Sequence, residues 1–151
     1  MIRPATNADR DAIEALVFSV LADYDLQVFP ESTDADLKDI EGHYINRGGA
    51  FDVYLNAQEE IVGTVGLYRI DDRICELRKM YLYPEQRGKG IGKQLLEHAL
   101  LKAKHLEFSQ VTLETASKLK EAIHLYKRYG FEAFEPEHLA GRCDQAFVKD
   151  L

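Results

Sequence analysis

Seven consecutive residues, Arg87-Gly88-Lys89-Gly90-Ile91-Gly92-Lys93, carry the most specific chemistry in the chain. Glycines at alternate positions leave backbone N–H groups bare, so an anion can approach without side chains in the way. The loop follows an apolar, strand-like run closed by Pro84 and leads into an amphipathic helical pattern whose positive dipole end points at the same place. Arg87, Lys89 and Lys93 add full charges. The group reads as a pyrophosphate cradle. The ordinary alternative, a basic surface turn, is disfavoured by the strand before the loop and the helix after it. A nucleoside-triphosphate loop is excluded because Gly-x4-Gly-Lys-(Ser/Thr) fails: Lys93 stands five residues past Gly88, and Gln94 has no hydroxyl for magnesium. A dinucleotide fingerprint is excluded because Lys93 and Leu95 occupy the third glycine position of the two possible registers. What remains is a diphosphate held without a magnesium-binding hydroxyl.

The elements that position this loop follow from hydrophobic spacing. Thr6-x-x-Asp9 starts a first helix whose stripe is Ile13, Leu16, Val17, Val20, Leu21 and Tyr24. A stretch rich in Asp (Asp34, Asp36, Asp39) leads to a second helix predicted to end near Arg47, stopped by Gly48-Gly49. Residues 51–55 and 61–68 read as a hairpin joined by the polar turn 56–60, and Asp71-Asp72-Arg73 turns the chain into a fourth strand. After the glycine loop, Ile91, Leu95, Leu96, Ala99, Leu100 and Ala103 form one helical stripe. Residues 111–114 form a short strand, and Leu119, Ala122, Ile123, Tyr126 and Tyr129 form a further helical stripe. A last strand is predicted over 145–149. Helices interspersed among six or seven strands indicate an α/β or α+β sheet covered by helices on both faces.

Composition fits one domain over residues 1–151. The chain is 46% apolar with ten Gly and four Pro, ordinary for a globular protein. Its net charge of −7, from 26 acidic against 19 basic residues, argues against a nucleic-acid or anionic-membrane binder. A locally basic loop on an acidic body suggests an anionic ligand together with a cationic second substrate such as an amine. There is no signal-like N-terminus and no apolar run near the roughly 20 residues that cross a bilayer, so the chain is expected in the cytoplasm. Cys75 and Cys143 show no metal-ligand spacing and read as free thiols, and no histidine pairs at a zinc-like interval. No metal is expected.

Arg87-x-x-Gly90-x-Gly92 resembles the (Gln/Arg)-x-x-Gly-x-(Gly/Ala) signature of the GNAT acetyltransferases, which bind acetyl-coenzyme A. The preceding run from Cys75 to Pro84 is similar to that family's fourth strand. Residues Ala122 to Phe131 resemble its fourth helix entering the sixth strand, and Ile2 to Thr6 its first strand. The resemblance implies a mixed, mostly antiparallel sheet whose fourth and fifth strands splay apart, with the cofactor in the gap. It further implies pantetheine pairing with the backbones of Met80 and Leu82, on either side of Tyr81, and pyrophosphate on the backbone from Arg87 through Gly88, Lys89, Gly90, Ile91 and Gly92 to Lys93.

Transfer of an acetyl group to an amine needs a base and an acid. Glu76, eleven residues before Arg87, resembles the strand-four glutamate that serves as base in part of the family; otherwise it is a solvent-facing strand residue paired with Arg78 or Lys79. Tyr126 matches the family's general-acid tyrosine, its alternative being a core aromatic. Where many relatives carry Asn, this chain has Leu119, so no pantetheine contact is assigned there, and Lys118 and Lys120 read as solvated. The family builds its acceptor site from the first two helices and the loop before the last strand, which nominates Tyr24, Gln27, Phe29, Arg142, Cys143 and Asp144. A Cys143 nucleophile with His138 or His124 is a weak alternative to direct attack.

The reading is an acetyl-CoA-dependent N-acetyltransferase acting on a small-molecule or peptide amine. The alternative is a non-catalytic acyl-CoA-binding or sensing module. A homodimer is left open as the assembly.

Overall fold

Alternation along the central strands decides which helix covers which side of the sheet. In the computed structural model, which describes residues 1–151, strand β2 (Ala50–Leu55) turns Phe51, Val53 and Leu55 toward one apolar cluster and Ala50 and Tyr54 toward another. The first cluster is closed by helix α1 (Arg10–Asp23), through Ile13, Leu16, Val17, Val20 and Leu21. The second is closed by helix α2 (Ile91–His105), whose predicted stripe of six residues is buried throughout. Each buried aliphatic side chain contributes roughly 1.5–3 kcal/mol. Helices therefore lie on both faces, as the spacing predicted.

The sheet has seven strands in the order β1-β2-β3-β4-β5-β7-β6. The remaining strands are β1 (Ile2–Pro4), β3 (Ile61–Arg69), β4 (Ile74–Leu82), β5 (Gln110–Thr115), β6 (Glu132–Phe134) and β7 (Gln145–Asp150). All neighbours are antiparallel except β4 and β5, which run parallel with α2 as the crossover between them. Their pairing covers only Ile74–Leu77 against Gln110–Leu113. Beyond Leu77 the two strands part, which is the splay that the resemblance implied. From Arg78 to Leu82, β4 has β3 on one edge and no strand on the other.

A bulge aims this free stretch. Thr64 pairs with Tyr81 and Gly66 with Arg78, so Lys79 and Met80 oppose the single residue Val65. Lys79 takes a positive φ of 54°, and its carbonyl accepts the Thr64 hydroxyl at 2.7 Å. The twist turns the Lys79 side chain inward, where it is buried.

The predicted second α-helix is absent. Residues Ala35–Lys38 form a 3₁₀ turn and Glu41–Ile45 a π-helical turn. The aspartates explain the difference, because their side chains take over hydrogen bonds that an α-helix would make through its backbone. Asp34 accepts from the Phe29 amide, Asp39 from the Gly42 amide and the Asn7 side chain, and Asp36 from the Tyr44 hydroxyl. Tyr44 is driven into the core against Phe51. Helix α3 (Lys120–Arg128) follows the splayed end of β5 and brings Tyr126 between Phe131 and Phe147. No helix is long and apolar enough to cross a membrane.

Candidate active site

The gap between β4 and β5 opens into one cleft of about 750 Å³. Its length runs from the glycine loop, along the free edge of β4, to a polar end bounded by the loop after α1 and the loop between β6 and β7.

At the loop end, Gly88 and Gly90 both have φ +78°, and a Cβ on either would meet nothing within 4 Å. The glycines are thus required by backbone conformation, and the space above them is open. Gly90 is the N-cap of α2 and has no side chain to satisfy the first amides, so those N–H groups remain for an anion. Arg87 and Lys93 line the same end. Arg87 reaches the Leu82 carbonyl at 3.4 Å and lies 5.1 Å from the Tyr24 ring centre. Lys89 departs from the sequence-based expectation: it faces away and lines a separate shallow depression with Tyr54 and Gln86. Met80, Tyr81, Leu82, Ile91 and Gly92 line the cleft. A cradle of open, left-handed glycines at a helix start, beside an unpaired strand edge, fits a pyrophosphate on a pantetheine-like arm.

At the polar end, Glu76 is not solvent-facing. It lines the cleft, and Arg78 Nε donates to its Oε1. The Arg78 guanidinium lies 3.9 Å from the Tyr68 ring centre. Burial opposes the Arg78 charge, but the neighbouring Glu76, Tyr44 and Asp36 outweigh it and hold the guanidinium firmly protonated. Lys79, the other partner considered for Glu76, instead sits 3.2 Å from both Asp34 and Asp36. Arg142 grips Asp34 with two hydrogen bonds of 2.8 and 2.7 Å. The side chains of Asp34, Arg142 and Lys79 are 0%, 7% and 4% exposed. This buried cluster ties the two acceptor-side loops to the bulge.

Tyr126 lines the cleft from α3 and is buried, and burial, with Tyr81 and Cys143 nearby, pushes its hydroxyl well above the ordinary tyrosine range. The group therefore holds its proton at neutral pH. Burial pushes the Cys143 thiol up to about 11 and Cys75 to about 12, so neither is a thiolate at neutral pH, which argues against the Cys143 nucleophile. No three His, Cys, Asp or Glu side chains are placed to hold a metal.

Of the residues nominated for the acceptor, Tyr24, Arg142 and Cys143 line the cleft and Gln27, Phe29 and Asp144 do not. The Gln27 carbonyl accepts from Arg142 at 3.4 Å. Phe29 covers Gly141, and Asp144 accepts from the amide and hydroxyl of Ser117. Asp34, Asp36, Lys79 and Glu114 were not identified from sequence as site residues. The aspartate-rich stretch was the one available signal for the first two, and it read as the approach to a helix.

A family model described as "Acetyltransferase (GNAT) family" matches residues 15–131. The chain is 37% identical over 137 residues to the uncharacterized N-acetyltransferase YjgM of Escherichia coli, covering 87% of this chain and 81% of that protein. It is 30% identical over 139 residues to an aminoalkylphosphonate N-acetyltransferase of Salmonella typhimurium, covering 87% and 84%. Its structure superimposes on a GNAT-family acetyltransferase from Staphylococcus aureus with a TM-score of 0.92 at 24% identity, over 99% and 98% of the two chains. A phosphinothricin acetyltransferase from Sinorhizobium meliloti, solved with acetyl-CoA, matches with a TM-score of 0.77 at 23% identity, over 100% and 88%.

Proposed function

The chain belongs to the GNAT acetyltransferase family and is an acyltransferase, and from that premise we propose that residues 1–151 form one domain that transfers acetyl from acetyl-CoA to a primary amine by direct attack. The observation that carries this reading is a single cleft holding Gly88, Gly90 and Lys93 at one end and Glu76 and Tyr126 at the other, joined by the unpaired edge of β4. When bound, acetyl-CoA supplies an activated thioester acyl group. The amides at the start of α2, with Arg87 and Lys93, hold its pyrophosphate, and the backbones of Met80 and Leu82 guide its arm toward Tyr126. The solved relative from Sinorhizobium that holds acetyl-CoA supports this choice of acyl donor.

Glu76 is the base. Arg78 fixes one of its oxygens, which orients the carboxylate toward the cleft and leaves the other oxygen to take a proton from the acceptor's ammonium. The freed amine nitrogen forms the new bond to the acyl carbon as the carbon–sulfur bond breaks, and the second proton that the nitrogen sheds, like the one taken up by Glu76, passes to solvent. Tyr126 is the acid: it lines the cleft from α3, and its O–H, protonated at neutral pH, can donate to the departing sulfur. Its proton is replaced from solvent between turnovers.

The test is release of free thiol from acetyl-CoA in the presence of amines, compared between wild type and Tyr126→Phe. Phe keeps the ring between Phe131 and Phe147, so the fold and coenzyme A affinity should stay and turnover should fall ~10²–10⁴-fold. Undiminished turnover in the variant would leave Tyr126 a core aromatic.

A further inference from the structure

Charge matching at the polar end of the cleft leaves one group over. Arg142 is committed to Asp34 by two short hydrogen bonds, Lys79 divides itself between Asp34 and Asp36 at 3.2 Å from each, and Arg78 is taken up by Glu76 and the Tyr68 ring. Every permanently charged cation in that end already has a carboxylate. Glu114 has none. It stands at the end of β5, one residue beyond the last β4–β5 pair, on the strand face it shares with Thr112, the residue registered with Glu76. Glu114 and Glu76 both line the cleft, and burial, together with the neighbouring Glu76, raises the cost of charging Glu114. Glu114 Oε1 accepts the Ala140 amide at 2.7 Å, which pins the β6–β7 loop, while its Oε2 has no protein donor. A second carboxylate nearby also has spare capacity: Asp36 is 2% exposed, and its Oδ1 accepts no hydrogen bond although Lys79 lies beside it.

We propose that Glu114 captures the ammonium group of the acceptor, and that the acceptor is an amine with no acidic group beside its nitrogen: an alkylamine, arylalkylamine or peptide N-terminus rather than a free amino acid. This rests on the acetyltransferase reading. An ammonium between Glu114 and Glu76 meets two carboxylate oxygens that lack protein donors. A carboxylate carried on the adjacent carbon would enter the same few ångströms, where Arg142 and Lys79 are held by buried aspartates and Arg78 already donates through Nε to Glu76. Repulsion from Glu76 and Glu114 would then act against it. Glu114 is a binding residue, and Glu76 remains the base.

The experiment uses matched acceptors that differ by one carboxylate: tyramine and tyrosine, agmatine and arginine, alaninamide and alanine. Wild type and Glu114→Gln are compared for thiol release with acetyl-CoA, and for heat of binding of the preferred amine to the coenzyme A-loaded protein. Gln keeps an oxygen for the Ala140 amide, so the loop stays anchored; an unchanged Tm and unchanged coenzyme A affinity verify this. The expected result is at least a tenfold preference for the carboxylate-free member of a pair. Glu114→Gln should raise the KM for that amine, and weaken its calorimetric binding, about ten- to a hundredfold with kcat little changed, the scale of a hydrogen bond to a charged group. A KM within twofold of wild type, or equal or better use of the carboxylate-bearing members, overturns the proposal. Protein that binds coenzyme A but acetylates no member of any pair overturns the substrate class. Protein that does not bind coenzyme A overturns the reading beneath it.

Discussion

Removing the charge of Asp34 should loosen the acceptor side of the cleft and destabilise the whole fold. Asp34 is fully buried and takes two hydrogen bonds from Arg142, one from the Phe29 amide at 2.9 Å, and an ion pair with Lys79 at 3.2 Å. Asp34→Asn leaves Arg142 buried with no counter-charge and Lys79 with Asp36 alone. Breaking one partner out of a buried ion pair costs about 3–5 kcal/mol, and because Asn Oδ1 can still accept one N–H, the lower end of that range applies. At roughly 2–4 °C per kcal/mol for a chain of this size, a loss of about 3 kcal/mol lowers Tm by about 6–12 °C. With an m-value near 2 kcal/mol/M in urea, the midpoint falls by about 1.5 M. The sign of the pH dependence follows from the same contacts. Burial pushes the Asp34 carboxyl up, but Arg142, the Phe29 amide and Lys79 together outweigh it and hold it below the ordinary carboxylate range. A group depressed in the folded state contributes its stability in full above its unfolded pKa of about 3.9 and loses it as pH falls through the folded value. The gap between wild type and variant should therefore be constant from pH 5 to 7 and close in strong acid. Equilibrium urea unfolding followed by circular dichroism at pH 7 and across the acid range measures both. Arg142→Met on top of Asp34→Asn should recover part of the loss, because the unpaired cation is gone. A loss under about 1 kcal/mol at pH 7, or a gap that does not narrow in acid, would show that the cluster behaves as a solvated surface pair and would refute the argument.

Two further outcomes bear on the cofactor and the base. Gly90→Val puts a β-branched residue at φ +78° and a side chain into the open space over the loop, so acetyl-CoA binding measured by calorimetry should weaken at least tenfold; Gly90→Asn, which tolerates that conformation, should weaken it less, and equal binding by wild type and the Val variant would remove the cradle. Glu76→Gln keeps an oxygen for Arg78 but cannot take a proton, so the deficit in kcat/KM should be greatest at low pH, where the acceptor is protonated, and shrink as free amine becomes available; a pH–rate curve of unchanged shape with a lowered Tm would make Glu76 a structural partner of Arg78.

The parts of the site legible in the sequence are those whose chemistry is local. Gly88 and Gly90 declare a left-handed backbone at a helix start within a few residues, and the stripe from Ile91 to Ala103 declares a helix by its own period. The alternation of β2 and β3 is of the same kind, whereas Glu76 and Tyr126 stand out only through the resemblance to the family's base and acid positions. Charge partners are not local. Arg142 and Asp34 are 108 residues apart and Lys79 and the Thr33 carbonyl 46, and nothing in either neighbourhood marks them as a pair. The segment that follows the aspartate-rich stretch and ends near Arg47 reads as a helix when its propensities are taken alone; in the folded chain Asp34, Asp39 and Asp36 accept from Phe29, Gly42 and Tyr44 instead. Lys89 has the same local credentials as Lys93, yet it lines a separate depression while Lys93 lines the cleft. Strand alternation, helical period and the left-handed glycines can be read from the sequence, because backbone conformation and hydrophobic period are set by near neighbours. Which carboxylates stay free cannot, because burial and pairing depend on where distant loops land in the folded chain.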